Sequence, residues 1–187
     1  RSLGARSIIA NPQSSTMQKQ LNLKIKYRES FRPFAPSILR EDLEEWFEQK
    51  TDSPYMLLVS FVKNNKRRSM TASEKVLFGV DKLNVARSSV PAITHVDYSA
   101  RIQTVHSNTN ARFHALISKF KEKTGCPIVL NTSFNVRGEP IICSPKDAFK
   151  CFMGTELDMI AIGNYLLKKE DQNKSLKENY EDSYEMD

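Results

Sequence analysis

The sequence is poor in the residues that build metal and disulfide sites. Its three cysteines, Cys126, Cys143 and Cys151, form no CxxC pair, and an odd number without a secretory segment argues for reduced thiols. Its three histidines, His95, His106 and His114, stand apart, without the i, i+4 spacing of a helical metal site. A structural metal site is therefore not expected. Only six glycines occur, and none falls in a GxGxxG or GxxxxGK[ST] pattern, which disfavours a doubly wound nucleotide fold. No apolar run approaches the roughly 20 residues that span a bilayer, and the opening "RSLGARSIIANPQ" lacks a signal peptide's apolar centre. These absences lead to the expectation of a cytoplasmic protein with no membrane partner.

What is present is a globular composition, with 40% apolar and 27% charged residues in 187, enough for one domain with a full core. Charge is unevenly placed. Residues 1–40 carry eight cations against Glu29 alone, whereas the stretch after Leu167 has four lysines and seven acids. A positive front concentrates anions, whether nucleic acid, nucleotide or small phosphate.

Periodicity gives the elements. "STMQKQLNLKIK" and "REDLEEWFEQK" read as short helices, and Phe113, Leu116, Ile117 and Phe120 mark the clearest helix, ended by Gly125. "SPKDAFKCFMG" has Ser144 as N-cap, Pro145 at the first position and Gly154 at the stop. Strands are expected at Pro54–Lys63, in two pieces over Val90–Val105, at "PIVL" and in "LDMIAIGNYLL". "NNKRRSMTASEK" reads as a polar loop whose Lys66, Arg67 and Arg68 are either solvated or a basic patch. The irregular alternation implies an α/β chain of the α+β type, a mixed sheet with helices packed on it.

Three polar clusters stand out. In "KIKYRESFRPFAPSIL" an extended backbone would put Lys24, Lys26 and Arg28 on one face, where a bound anion offsets their repulsion; a solvated edge is the plain alternative. In "THVDYSARIQTV", His95, Asp97, Ser99, Arg101 and Gln103 alternate, as a polar pocket wall or a solvent face would require. In "CPIVLNTSFNVRGEPIIC", Asn131, Ser133 and Asn135 follow an apolar strand and could aim at one ligand, with Gly138 allowing close approach; a turn with Asx caps is the alternative.

These blocks resemble a known family. "RSLGARSIIANP", "IKYRESFRPFAPSIL", "HVDYSARIQTV" and "PIVLNTSFNVRGEPI" are similar to RALGxRSIxADP, VKxREPFRPFAPSV, HVDGTaRxQTV and PxxLNTSFNxxGEPI of the O-carbamoyltransferases of nodulation and antibiotic tailoring. The resemblance covers residues 1–167 and is to their C-terminal, YrdC-like domain. It implies a YrdC-like mixed sheet over residues 13–167 and residues 1–12 as the junction with a preceding actin-like domain; residues 168–187, charged and poor in apolar residues, are expected to fray. It also implies binding of ATP with Mg²⁺ and of carbamoyl phosphate, and formation of carbamoyl-adenylate. The actin-like domain of the same polypeptide would then transfer the carbamoyl group to a hydroxyl acceptor.

Carried onto this sequence, the resemblance assigns Lys26, Arg28 and Arg32 to phosphates and Arg101 to carbamoyl phosphate or the α-phosphate. Asn131, Ser133 and Asn135 fall to the carbamoyl and nucleotide groups, and Arg137 beside Gly138 to a further phosphate. His95 and Asp97 complete the expected pocket wall. Three positions depart from the family pattern: Ser2 replaces Ala, Asn11 replaces Asp, and Tyr98 replaces a common Gly. A nucleic-acid-binding module, and a domain inert without its partner, are the competing readings.

Overall fold

A computed structural model describes residues 2–177. In chain order its strands are β1 (Ser7–Ala10), β2 (Ala35–Leu39), β3 (Leu58–Phe61), β4 (Ser99–Val105), β5 (Ile128–Ser133), β6 (Met159–Ile162) and β7 (Tyr165–Lys168). Its helices are α1 (Met17–Lys24), α2 (Leu43–Trp46), α3 (Ala72–Lys75), α4 (Gly79–Leu83), α5 (Ala111–Thr124) and α6 (Pro145–Gly154). The described residues divide into two compact units, one of residues 2–19 and 31–133, the other of residues 20–30 and 134–177.

The first unit is built on a five-stranded mixed sheet in the order β1-β5-β2-β4-β3. Only β2 and β4 run parallel; the other three pairings are antiparallel. All five residues of the central β2 are buried, because it has strands on both edges and cover on both faces. The alternating positions Leu39, Val105 and Val129 share one face of the sheet, where Phe113 and Ile117 of α5 pack on them with Phe120 beside. Each such side chain contributes about 1.5–3 kcal/mol on burial. α5 stops where expected: Gly125 adopts φ +73 and its N–H closes onto the Lys121 carbonyl at 2.8 Å.

The second unit draws its buried apolar residues from both of its segments: Leu21 and Ile25 from the first, and Phe134, Val136, Ile142, Phe152 and Ile160 from the second. α6 begins with the Ser144 N-cap expected from its sequence, completed as a capping box: Ser144 Oγ accepts the Asp147 N–H while the Asp147 carboxylate accepts the Ser144 N–H. Its Cys151 and Phe152 are fully buried.

Several local expectations are corrected. "LDMIAIGNYLL" is not one strand but the β6–β7 hairpin, turned by Gly163 at φ +60 and Asn164. The first half of Val90–Val105 is a 3-10 turn over Pro91–Ile93, since Pro91 withholds the N–H a strand needs, and only Ser99–Val105 is extended. Pro54–Lys63 shortens to Leu58–Phe61, because Met56 sits at φ 56 and breaks the extension. Of the segment 168–187, expected to fray, the first residues end β7 and form 3-10 turns at Lys169–Asp171 and Lys174–Leu176; residues 178–187 lie outside the described residues.

Candidate functional site

The candidate residues belong to two sets, one in each unit. In the second unit the stretch after α1 is not extended as expected. Tyr27 takes φ 47 and reverses the chain, so Lys24, Lys26 and Arg28 do not share a face. Lys24 stays exposed and pairs with Glu156 at 2.6 Å, whereas Lys26 turns inward and is 4% exposed. Buried Asn22 holds this reversal. Its Oδ1 accepts from Arg28 Nε at 2.7 Å and its Nδ2 donates to the Ser30 carbonyl at 3.0 Å.

Lys26 Nζ donates to the Asn135 carbonyl at 2.8 Å and to Asn135 Oδ1 at 2.9 Å. Asn135 is fixed in turn: its Nδ2 donates to the Glu139 carbonyl at 2.6 Å, and the buried Glu139 carboxylate accepts the Val136 N–H at 2.8 Å. Gly138, at φ +74, makes the tight return that brings Glu139 back under Val136. Arg137 lies half-buried in the same turn. Burial, and then the neighbouring Arg28 guanidinium, pull the Lys26 pKa from 10.5 down to about 7, against the opposing influence of Cys151 and Glu139. Burial strips this ammonium of water, and the second cation beside it adds repulsion. Burial also pushes the Cys151 thiol up to about 12, so it remains protonated.

In the first unit the pleat places Ser37, Gln103 and Asn131 on the face that α5 covers further along, so that face changes from apolar to polar. Ser37 Oγ donates to Gln103 Oε1 at 2.6 Å. Asn131 Nδ2 faces three acceptors, Gln103 Oε1 at 2.9 Å, Ser37 Oγ at 3.0 Å and the Ser2 carbonyl at 3.3 Å. Gln103 Nε2 and Asn110 Nδ2 both donate to the Leu3 carbonyl at 3.1 Å. Asn131 Oδ1 and Ser2 Oγ are buried with no hydrogen-bond partner among the described residues. Two residues further, on the same face, come exposed Arg101 on β4 and half-buried Ser133 at the end of β5. The polar band thus sits at the carboxyl end of β5. The alternation of Asn131 with Ser133 stops there, because Asn135 lies beyond the strand.

The other expected residues of this unit are peripheral to that band. His95 and Asp97 precede β4 in an exposed turn: the Asp97 carboxylate accepts the Ser99 N–H at 3.0 Å and lies 3.1 Å from His95 Nδ1. Hydrogen bonds from Ser99, and then from His95, hold the Asp97 pKa down at about 2. Arg32 is exposed, in a segment whose carbonyls at Phe31 and Arg32 accept from Gln18 Nε2. The basic run is not simply solvated. Lys66 pairs with Glu45 and lies over Trp46, Arg67 pairs with Glu48 and lies over Tyr98, and Arg68 pairs with Glu74.

The sequence reading missed Asn22, Ser37, Gln103 and Glu139 as positioning residues. For Gln103, Glu139 and Ser37 a signal existed, since all three lie inside the polar clusters; Asn22 lies outside them.

Comparison with known proteins decides the relationship. The carbamoyltransferase C-terminus family matches residues 1–169. This chain belongs to that family. It is 52% identical to an uncharacterized protein of Synechocystis over 100% of its own length and 31% of the relative's. It is 42% identical to the nodulation protein NolNO of Sinorhizobium fredii, over 90% of the chain and 22% of the relative. It is 35% identical to the 3'-hydroxymethylcephem-O-carbamoyltransferase of Amycolatopsis lactamdurans, over 79% of the chain and 24% of the relative. The chain therefore spans between about a fifth and a third of the length of these curated relatives. The three cysteines are free, and among the described residues no helix is long and apolar enough to cross a membrane.

Proposed function

We propose that this chain is the adenylate-forming part of an O-carbamoyltransferase, binding ATP and carbamoyl phosphate and producing carbamoyl-adenylate. An N-terminal, actin-like part of the polypeptide then transfers the carbamoyl group to a hydroxyl acceptor. The observation that carries the reading is the buried Lys26 ammonium, aimed by Asn135 and lying beside Arg28, in a member of the carbamoyltransferase C-terminus family. The net reaction consumes ATP, carbamoyl phosphate and one water, and releases carbamoyl-adenylate, pyrophosphate and phosphate. Carbamate oxygen bonds to the α-phosphorus as the bond to the β-phosphate breaks.

In this scheme Lys26, Arg28, Arg32 and Arg137 neutralise phosphates, Arg101 holds the carbamoyl phosphate or the α-phosphate, and Ser133 and Asn135 donate to or accept from the carbamoyl and nucleotide groups. Aligning two polyanions that repel one another supplies several kcal/mol of barrier lowering, of the order known for positioning effects. Among the described residues no group of three or more His, Cys, Asp or Glu side chains could hold a metal ion. Mg²⁺ would enter with ATP on its phosphates, where it would supply charge neutralisation.

Exchange of labelled pyrophosphate into ATP tests the proposal. Exchange dependent on carbamoyl phosphate, and abolished in Arg28→Ala and Ser133→Ala variants that keep the wild-type circular dichroism, is expected. A folded chain that binds ATP by calorimetry yet shows no exchange would overturn it.

A further inference from the structure

Between Arg68 and Arg87 the chain leaves the sheet unit as an arm carrying α3 and α4. Its neck is closed by an antiparallel bridge between Arg67 and Ser88 and by the Arg68 N–H donating to the Arg87 carbonyl at 2.7 Å. The arm holds its shape without a core. Thr71 and Glu74 form a capping box at α3, Glu74 also pairs with Arg68, and Lys82 Nζ donates to the Lys75 carbonyl. The Arg87 guanidinium, 7% exposed, donates to the carbonyls of Lys82, Leu83 and Val85 and so gathers the end of α4. No residue from 69 to 86 is buried.

That polar bracing presents an apolar tip. Val76 is 82% exposed, Phe78 93% and Val80 50%, with Leu77 between them. A cluster of this kind, held in place by side chains that make no other use of their bonds, is what a protein contact requires rather than what solubility favours.

We propose that the arm at 69–86 is the docking element for the N-terminal part of the carbamoyltransferase polypeptide, an inference that rests on the two-part reading above. Two observations select this occupant. In the curated relatives the matched region is only 22–31% of the protein, so a larger body shares the polypeptide with a domain of this kind. The incoming segment, Ser2 and Leu3, is fastened in the same unit as the arm by Asn131, Gln103 and Asn110. A body tethered there meets the tip at a high effective concentration, about millimolar for a short link, so a small apolar contact suffices. A lipid surface is disfavoured, because Glu74 and Asp81 balance Lys75 and Lys82 and leave the arm's tip without a cationic excess.

The test joins this chain to the N-terminal part of the Synechocystis relative and places a benzophenone amino acid at position 78. Photolysis is expected to link position 78 to the N-terminal part within one polypeptide, and amide exchange over residues 72–83 is expected to slow about tenfold relative to this chain alone. A folded chimera with no such link and unchanged exchange overturns the proposal. Self-association of this chain in sedimentation that Phe78→Ser abolishes would also overturn it, assigning the arm to a second copy. Should the chimera not fold, the same exchange is measured on adding the separately purified N-terminal part, and no slowing counts against the proposal. None of these readouts uses ATP chemistry, so loss of adenylate formation and loss of docking are told apart.

Discussion

The Lys26 ammonium meets both oxygens of Asn135, main chain at 2.8 Å and side chain at 2.9 Å, across 109 residues of sequence. Both oxygens belong to an uncharged residue, and together they fix the direction of the ammonium. Burial therefore decides its proton affinity, and the Lys26 pKa falls to about 7.

That depression gives stability a pH dependence of known sign. The unfolded chain keeps the Lys26 proton up to about pH 10.5 whereas the folded chain releases it from about pH 7, so folding gains stability as pH rises through this window; below it the cost of burying the charged amine is fully present and does not vary with pH. The gain is on the order of a few kcal/mol across the full window. Urea unfolding of the wild type and Lys26→Met at pH 6.5, 8 and 9.5 should show the difference between them changing in the wild type's favour. On the phosphate role proposed for Lys26, phosphate binding should weaken over the same range in the wild type alone.

Asn131 ties Ser37, Gln103 and the Ser2 carbonyl together on the sheet's polar face. Asn131→Ala removes a donor from buried acceptors and should cost about 2–3 kcal/mol in denaturant unfolding. Asn131→Asp should cost more, because a carboxylate would confront the Gln103 and Ser2 oxygens. An Asp variant as stable as the wild type would contradict the geometry.

At Ser2 the expectation reverses. Its hydroxyl is buried and lacks a partner among the described residues, where the family pattern has alanine. Ser2→Ala should be neutral or raise stability by about 1 kcal/mol, read from the urea midpoint at unchanged slope.

Tyr98 explains another departure. Its backbone lies at φ 67, a conformation glycine adopts without strain and a β-branched residue hardly at all. Stacking of the Arg67 guanidinium over the Tyr98 ring, 4.8 Å from its centroid, returns roughly what the strain costs, about 1 kcal/mol each. Tyr98→Gly should thus change stability by less than about 1 kcal/mol, and Tyr98→Val should lower it by about 2. Equal effects from the two variants would show that φ is not the governing quantity.

α5 and α6 were legible in the sequence because their information is local: apolar spacing at Phe113, Ile117 and Phe120, and punctuation by Ser144, Pro145 and Gly125. The hairpin at Gly163 was missed although a two-residue Gly-Asn turn was in view, since a continuous apolar run masked it. Among the candidate residues, Lys26, Asn131 and Asn135 were singled out from residue type and motif. Their supports were not, because each pairing spans distances that no local pattern encodes: Ser37 to Gln103 is 66 residues and Asn131 to Ser37 is 94. The extended reading of Lys24, Lys26 and Arg28 failed at Tyr27, whose left-handed backbone no propensity rule anticipates.

The strand order β1-β5-β2-β4-β3 also fixes a timetable for synthesis. Among the described residues β1 has its strand partner in β5, and the segment 20–30 finds the rest of its unit after residue 133. At typical elongation rates of about 5–20 residues per second, both wait on the order of ten seconds in a growing chain. During that interval Lys26 remains hydrated and fully protonated. Its lowered proton affinity therefore appears only after residue 133 has been made, when the rest of its unit buries it.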